Sequence, residues 1–416
     1  MKTLSWWLVP VVLAFGLATS LPVRAAVLKS VQTGTVAMNP AVQPVAIASV
    51  VTARTFVVCE GDTGGVGSNP TVRATCELPN TVNATTLTIT TNVADATMTV
   101  RWYVVEFLSG VTVQRGLVPT GTFTGVTATV PVGIAAVNLA KTFVLTTERV
   151  NSATQTIDEE WTTLAQLTTT TNLQITRLET GVALAVAWQV IQIESASVQS
   201  GTTTIPAASA PATAVLGTPV DVSRTFLVFS QNGGTAIGGD EGLYRITGVI
   251  TNATTLTFQR AKAGAANTQI NVAWFAVRMT DGTTVQRNLC GPSGNVSTMP
   301  AAPAGCLTLA PAIVPTRSVA FISARGDAAS GSPTADLDDT SWKSALAAGA
   351  ITLTRSAGAS NSTSDTVAWQ VVSSTTSPIS LTGTGERFSR KRQGRRPSCM
   401  DVPEVLKARE SSRSHN

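Results

Sequence analysis

The chain of 416 residues holds a single histidine, His415, one position from its end. Histidine is the side chain whose ordinary pKa suits proton transfer near neutrality, and it is the commonest metal ligand. Its absence elsewhere excludes Ser-His-Asp and Cys-His arrangements and nearly all histidine metal sites. No G-x-x-x-x-G-K-S/T, G-x-S-x-G or H-E-x-x-H motif takes its place. An enzyme would have to run on carboxylates alone, so a non-enzymatic protein is expected. Charge is also scarce. Only 13% of residues are charged, about half the usual share, and long runs of Glu, Lys and Leu that would make extended helices are missing. Thr, Val, Ala, Gly and Ser fill the difference, and β-branched residues fit a pleated, half-buried surface. The composition is that of an all-β protein.

A basic nucleic-acid surface is missing too, despite the net charge of +5. From Glu386 onward nine Lys or Arg stand against four acids, which leaves 20 basic and 20 acidic residues before that point. A neutral body argues against nucleic acid as a partner. Residues 381–416 are expected to be a basic disordered tail. Its RFSRKRQGRR run suits a polyanion, although an uninformative extension is the simpler reading.

Nor is any apolar run long enough to span a bilayer. The run from Leu4 to Leu17 follows Lys2, breaks at Pro10 and leads to small residues, with Val23 and Ala25 at the −3 and −1 positions of a cleavage site. That is the layout of a secretory signal peptide over residues 1–25. The mature chain is therefore expected to be secreted, extracellular or at the cell surface, with no transmembrane anchor. Five cysteines fit this compartment. Cys59 and Cys76, and Cys290 and Cys306, form two close pairs that read as loop-closing disulfides, with Cys399 left over. No CxxC spacing supports zinc.

Against these absences stands a repeat. VAWQV occurs at 186–190 and 367–371, with the relatives VRWYV at 100–104 and VAWFA at 272–276. V-Q-x-G or its near form recurs at 31, 113, 198 and 285, and an aromatic strand at 54–58, 141–145, 224–228 and 317–321. Threonine-rich strands recur at 85–90, 171–176, 254–259 and 350–354. Four markers in one order, four times, define a tandem array of modules of about 85 residues. The expected domains are 26–112, 113–197, 198–284 and 285–380. In each, alternation places Val186, Trp188 and Val190 or their counterparts on one face and Ala187, Gln189 and Ile191 on the other. Short alternating strands with Gly, Pro, Asn and Ser between them predict antiparallel β-sandwiches with one solvated face. Trp102, Trp188, Trp274 and Trp369 are expected to plug the modules, each with its own core. Arg177, Arg260 and Arg355 close the threonine-rich strands, where an arginine is expected to lay its stem on the core edge and keep its head in water.

Three copies carry acids before an aromatic in the long segment after the aromatic strand: Asp158, Glu159, Glu160 and Trp161; Asp240, Glu241 and Tyr244; Asp336, Asp338, Asp339 and Trp342. A carboxylate beside an aromatic suits a sugar, which stacks its C–H face on the ring and donates hydroxyls to the acid. Clustered carboxylates also suit calcium, although the spacing matches no fixed calcium loop. The third reading is a solvated loop that keeps an edge strand from pairing. The first module has the Cys59–Cys76 loop in this place.

The opening VQSG (198–201), the strand FLVF (226–229) and the hairpin TTLTFQRAKAGAANTQINVAWFAV (254–277) together resemble the H-type lectin domain. That resemblance implies a six-stranded antiparallel sandwich that binds terminal sugars, usually as a homo-oligomer. The chain departs from it in its tandem copies, long extra segments and lack of histidine, so no sugar-binding residue carries over. Two functions follow as expectations. One is an adhesive or binding protein, carbohydrate-binding through tandem modules, whose partner is a surface glycan or other extracellular polymer. The other is a structural surface, matrix or filament protein with the modules as spacers. No cofactor is expected, calcium apart.

Overall fold

The computed structural model describes residues 25–62, 73–150, 162–208, 211–233, 245–261, 269–293, 296–326, 341–355 and 365–374. The expected signal peptide, but for Ala25, and the basic tail lie outside them. Residues up to Pro378 belong to one compact unit. Among the described residues there is no α-helix, and the chain is all-β.

Module 1 contains β1 (Val27–Met38), β2 (Val42–Val51), β3 (Thr55–Asp62), β4 (Thr75–Glu77), β5 (Asn83–Thr90) and β6 (Asp95–Ser109). They form two antiparallel sheets, β1-β6-β3 and β2-β5-β4. Module 2 repeats this with β7 (Val111–Val118), β8 (Thr129–Gly133), β9 (Thr142–Val150), β10 (Leu164–Thr169), β11 (Asn172–Thr176) and β12 (Leu184–Ile193), paired as β7-β12-β9 and β8-β11-β10. Module 3 has β13 (Ala196–Ile205), β14 (Pro211–Val215), β15 (Thr225–Gly233), β16 (Ile246–Asn252), β17 (Thr255–Arg260) and β18 (Ile270–Met279), in the same two sheets. Module 4 has β19 (Thr284–Ser293), β20 (Ser318–Arg325), β21 (Lys343–Ala347), β22 (Ala350–Thr354) and β23 (Asp365–Ser373). Isolated bridges from Thr298 and Thr308 to β22 stand where the other modules have a sixth strand.

The repeated markers are cross-strand partners. The glycine of V-Q-x-G faces the tryptophan of the last strand in three modules: Gly34 with Trp102, Gly116 with Trp188, and Gly201 with Trp274. Asn288 faces Trp369 in the fourth. Trp102, Trp274 and Trp369 are buried between the sheets, as expected, while Trp188 is only half-buried. In module 1 the inter-sheet core joins Trp102 to Leu87, Ile89 and Met98. In module 3 it joins Trp274 to Leu256 and Phe258.

The sheet face expected to be solvated is not. Ala187, Gln189 and Ile191 are all buried, and so are Tyr103, Val105, Phe275 and Val277. These faces turn toward neighbouring modules, because the four sandwiches close head to tail. Gln189 of module 2 bonds Val57 of module 1. Ser230 of module 3 bonds Ala165 of module 2. Gln370 of module 4 bonds Leu227 of module 3, and Ser344 of module 4 bonds Glu60 of module 1. The result is a closed ring. Phe56, Phe143, Phe226 and Phe321, one from the third strand of each module, pack in sequence at its centre at centroid separations of 5.3–6.3 Å. A single apolar cluster runs through all four modules around them. Modules 1 and 3 keep separate inter-sheet cores, as expected, whereas the inter-sheet cores of modules 2 and 4 are continuous with the shared cluster.

The three arginines also depart from expectation. Arg177, Arg260 and Arg355 are 2%, 0% and 3% exposed. Arg177 donates to the carbonyls of Thr127, Val182 and Thr124 and lies over Phe123. Arg260 donates to Pro206 and Ala207. Arg355 donates to Val296, pairs with the buried Asp365 and lies over the Trp342 ring. Each guanidinium satisfies loop carbonyls that the sandwich would otherwise bury unpaired, which explains why its head is not in water.

Candidate functional site

Ring closure brings the third strands, β3, β9, β15 and β20, to one axis. Phe56, Phe143 and Phe226 are the second residues of β3, β9 and β15, Phe321 is the fourth of β20, and polar or charged residues follow toward the far end of each strand. At that end lies a cavity of about 330 Å³ to which all four modules contribute. Glu60 comes from module 1, Leu145 from module 2, Phe229, Gln231 and Arg245 from module 3, and Ser323 and Trp342 from module 4. A neighbouring cavity of about 200 Å³ shares Leu145, Phe229, Gln231 and Arg245 and adds Arg73, Glu148 and Thr162. Arg73 and Glu148 form an ion pair at 3.1 Å between modules 1 and 2. The combined walls offer a half-buried aromatic face, amide and hydroxyl groups, and charges of both signs.

Glu60 is the most perturbed group there. Its carboxylate accepts from the Ser344 backbone N–H at 2.7 Å and from the Ser344 hydroxyl at 2.7 Å. Burial pushes its carboxyl up to about 7, against the lowering effect of those bonds and of Arg101. Tyr103, whose hydroxyl lies 2.9 Å from the Ser344 hydroxyl, is pushed up to about 12, first by burial and then by the Glu60 charge.

Two further clefts lie at the seams between modules 1 and 2 and between modules 3 and 4. The first, about 480 Å³, is lined by Trp188, Arg115, Glu77 and Asn80. The second, about 970 Å³, is lined by Trp369, Arg287, Asp221 and Asn252. Arg115 donates to the carbonyls of Thr52 and Thr55, and Arg287 to the equivalent Val222 and Thr225. Burial lowers both guanidinium groups to about 10.

Of the acidic–aromatic residues, Asp158, Glu159, Glu160, Trp161, Asp240, Glu241, Tyr244, Asp336, Asp338 and Asp339 lie outside the described residues. Trp342 is described and is 3% exposed. Its ring carries the Arg355 guanidinium at 5.1 Å, so its aromatic face is occupied from within its own module rather than offered as a platform. Among the described residues no three His, Cys, Asp or Glu side chains gather as a metal ion would need. Both disulfides, Cys59–Cys76 and Cys290–Cys306, are formed. Among the described residues no helix is long and apolar enough to cross a membrane.

Sequence reasoning passed over Glu60, Gln231 and Arg245. Glu60 and Gln231 lie in the aromatic-strand marker's continuation, four and five residues beyond Phe56 and Phe226, and alternation could have placed them at the strand end. No family model matches the chain, and no curated protein matches it either.

Proposed function

We propose that the protein is a secreted, non-enzymatic binding protein that takes a saccharide of a surface glycan or similar extracellular polymer at the axial cavity. The observation that supports this is the convergence of four third strands on one polar cavity with an aromatic wall. Phe229, Gln231, Arg245 and Glu60 line it with a half-buried aromatic ring, an amide, a guanidinium and a carboxyl, the mixture of groups that sugar hydroxyls and C–H faces require. The ring makes this one composite site rather than four independent ones, so avidity along a flexible array is not needed. The test is a glycan array on the exported chain, with and without calcium, repeated on Gln231→Ala and Arg245→Ala. Retention of a glycan by the native chain, lost in both variants at an unchanged melting temperature, supports the reading. Retention that survives both substitutions removes the axial cavity from consideration.

The burial of Trp342 against Arg355 favours a second reading at that segment, in which it is structural and the ring is a unit of a surface or matrix assembly. A native chain that retains no glycan under either condition supports this second reading.

A further inference from the structure

The four seams are of two kinds, and one of them has a charged version. At the seams between modules 1 and 2 and modules 3 and 4, a glutamine and an arginine of the even module hold the third strand of the odd one. At the other two seams, the end of the odd module's β15 or β3 meets the second sheet of the even module, at β10 and β11 in module 2 and at β21 in module 4. Between modules 2 and 3 these groups are neutral: the Ala165 N–H donates to the Ser230 hydroxyl, and the Asn232 amide donates to Thr176. Between modules 4 and 1 the equivalent positions hold Glu60 and Asp62, facing Ser344 and Lys343. Lys343 pairs with the fully buried Asp62 at 2.8 Å, and the Ser344 N–H and hydroxyl both donate to Glu60. This is also the seam that the chain does not cross, since module 1 begins the array and module 4 ends it.

We propose that the seam between modules 4 and 1 is a proton-controlled joint, closed when Glu60 is protonated and loosened when it ionises. The charges around Glu60 do not neutralise it. On its own strand Asp62 is committed to Lys343, which comes from β21. Opposite Glu60 on β6 stand Arg101 and Tyr103. From β20, Arg325 turns away to Thr247 and Gln259 of module 3. Arg245, before β16, lines the same cavity. Arg101, the cross-strand partner of Glu60 on β6, is the cation whose charge acts on it, and burial outweighs it.

The sign follows from linkage. A carboxyl whose value in the closed seam lies near 7, above its ordinary 4.5 in an open one, holds a proton that opening releases. Closure is therefore favoured at acid pH, weakens as pH rises from about 4.5 to about 7, and changes little above that. Between pH 5.5 and 8.5 the open fraction should rise about thirtyfold from this group alone. Ser230 at the matching neutral seam supplies no such dependence.

The experiment is hydrogen exchange on the full exported chain at pH 5.5 and 8.5, corrected for the intrinsic pH dependence of exchange. The Ser344 amide is compared with the Ala165 amide in the same sample. The proposal expects the protection of Ser344 to fall about thirtyfold more than that of Ala165, and the difference to vanish in Glu60→Gln and in Glu60→Ser. Equal pH dependence at Ser344 and Ala165 in the native chain overturns it, as does a difference that persists in a folded Glu60→Gln. The native comparison decides the matter even if neither variant folds.

Discussion

The indole of Trp188 lies across the Cα of Gly116 on the neighbouring strand, where a β-carbon would stand 2.6 Å from the ring. The same approach recurs at Gly34 with Trp102 and Gly201 with Trp274. Gly116→Ala must push the indole out of its place. Overpacking of this kind costs about 1–3 kcal/mol, so the variant should melt several degrees lower with its strand content intact. An unchanged melting temperature would show that the half-buried Trp188 can swing aside freely.

Gln189 and Gln370 each use both ends of the side-chain amide on one residue of the preceding module, at 2.8–2.9 Å. Each acts as an extra rung between two sandwiches. Truncating Gln189 to Ala strands the Val57 N–H and carbonyl in a buried seam, at a cost of about 2–4 kcal/mol. Gln370→Ala should cost the same at Leu227, and the losses should add because the two seams share no partner. Chemical denaturation of both single variants and the double variant measures this.

Arg355 and Asp365 form an ion pair with both side chains essentially dry. Asp365→Ala leaves an uncompensated guanidinium in module 4, which should destabilise by about 3–5 kcal/mol. Replacing both with apolar residues of similar volume should recover most of that loss, since a buried pair seldom outdoes a hydrophobic one. A double variant as unstable as the single one would point instead to the Arg355 bond to the Val296 carbonyl.

Cutting before Val198 separates modules 1 and 2 from 3 and 4. Independent cores would leave two monomeric halves, but the ring leaves each half with two bare seam faces bearing Phe226 and Phe321 or Phe56 and Phe143. The half from Val198 onward should dimerise, setting Ser344 of one copy against Ser230 of the other in the geometry that Ala165 and Ser230 already adopt. Light scattering that finds a stable monomer would falsify the shared centre.

Much of the fold was legible because its signals are local. The 85-residue period, the alternating strands, the two disulfides and three of the four core tryptophans follow from spacing and pattern. Ring closure was written in the same markers but not in any one of them. Arg115 and Gln189 face each other across β7 and β12, as do Arg287 and Gln370 across β19 and β23, while modules 1 and 3 pair Thr33 with Tyr103 and Ser200 with Phe275. That alternation marks two kinds of interface, yet a polar residue beside a core tryptophan reads first as solvent-facing. The buried arginines were misread for the same reason, since the carbonyls they satisfy lie up to 59 residues away in sequence. The axial cavity had no local signature at all, because its lining is gathered from all four modules.

The alternation of seams also bears on how such a chain could change in length. An open array can gain or lose one unit by unequal recombination and still stack. Here, deleting module 2 would bring Phe275 of module 3, which lacks the amide that Gln189 supplies, to the Val57 backbone. Duplicating one module would likewise put two of the same kind side by side. Only pairs can be exchanged without breaking the matching, and a change of one pair would alter the closure angle of the whole circuit. Copy number is therefore held by geometry, and gene variants with three or five modules should be selected against even when every module in them is intact.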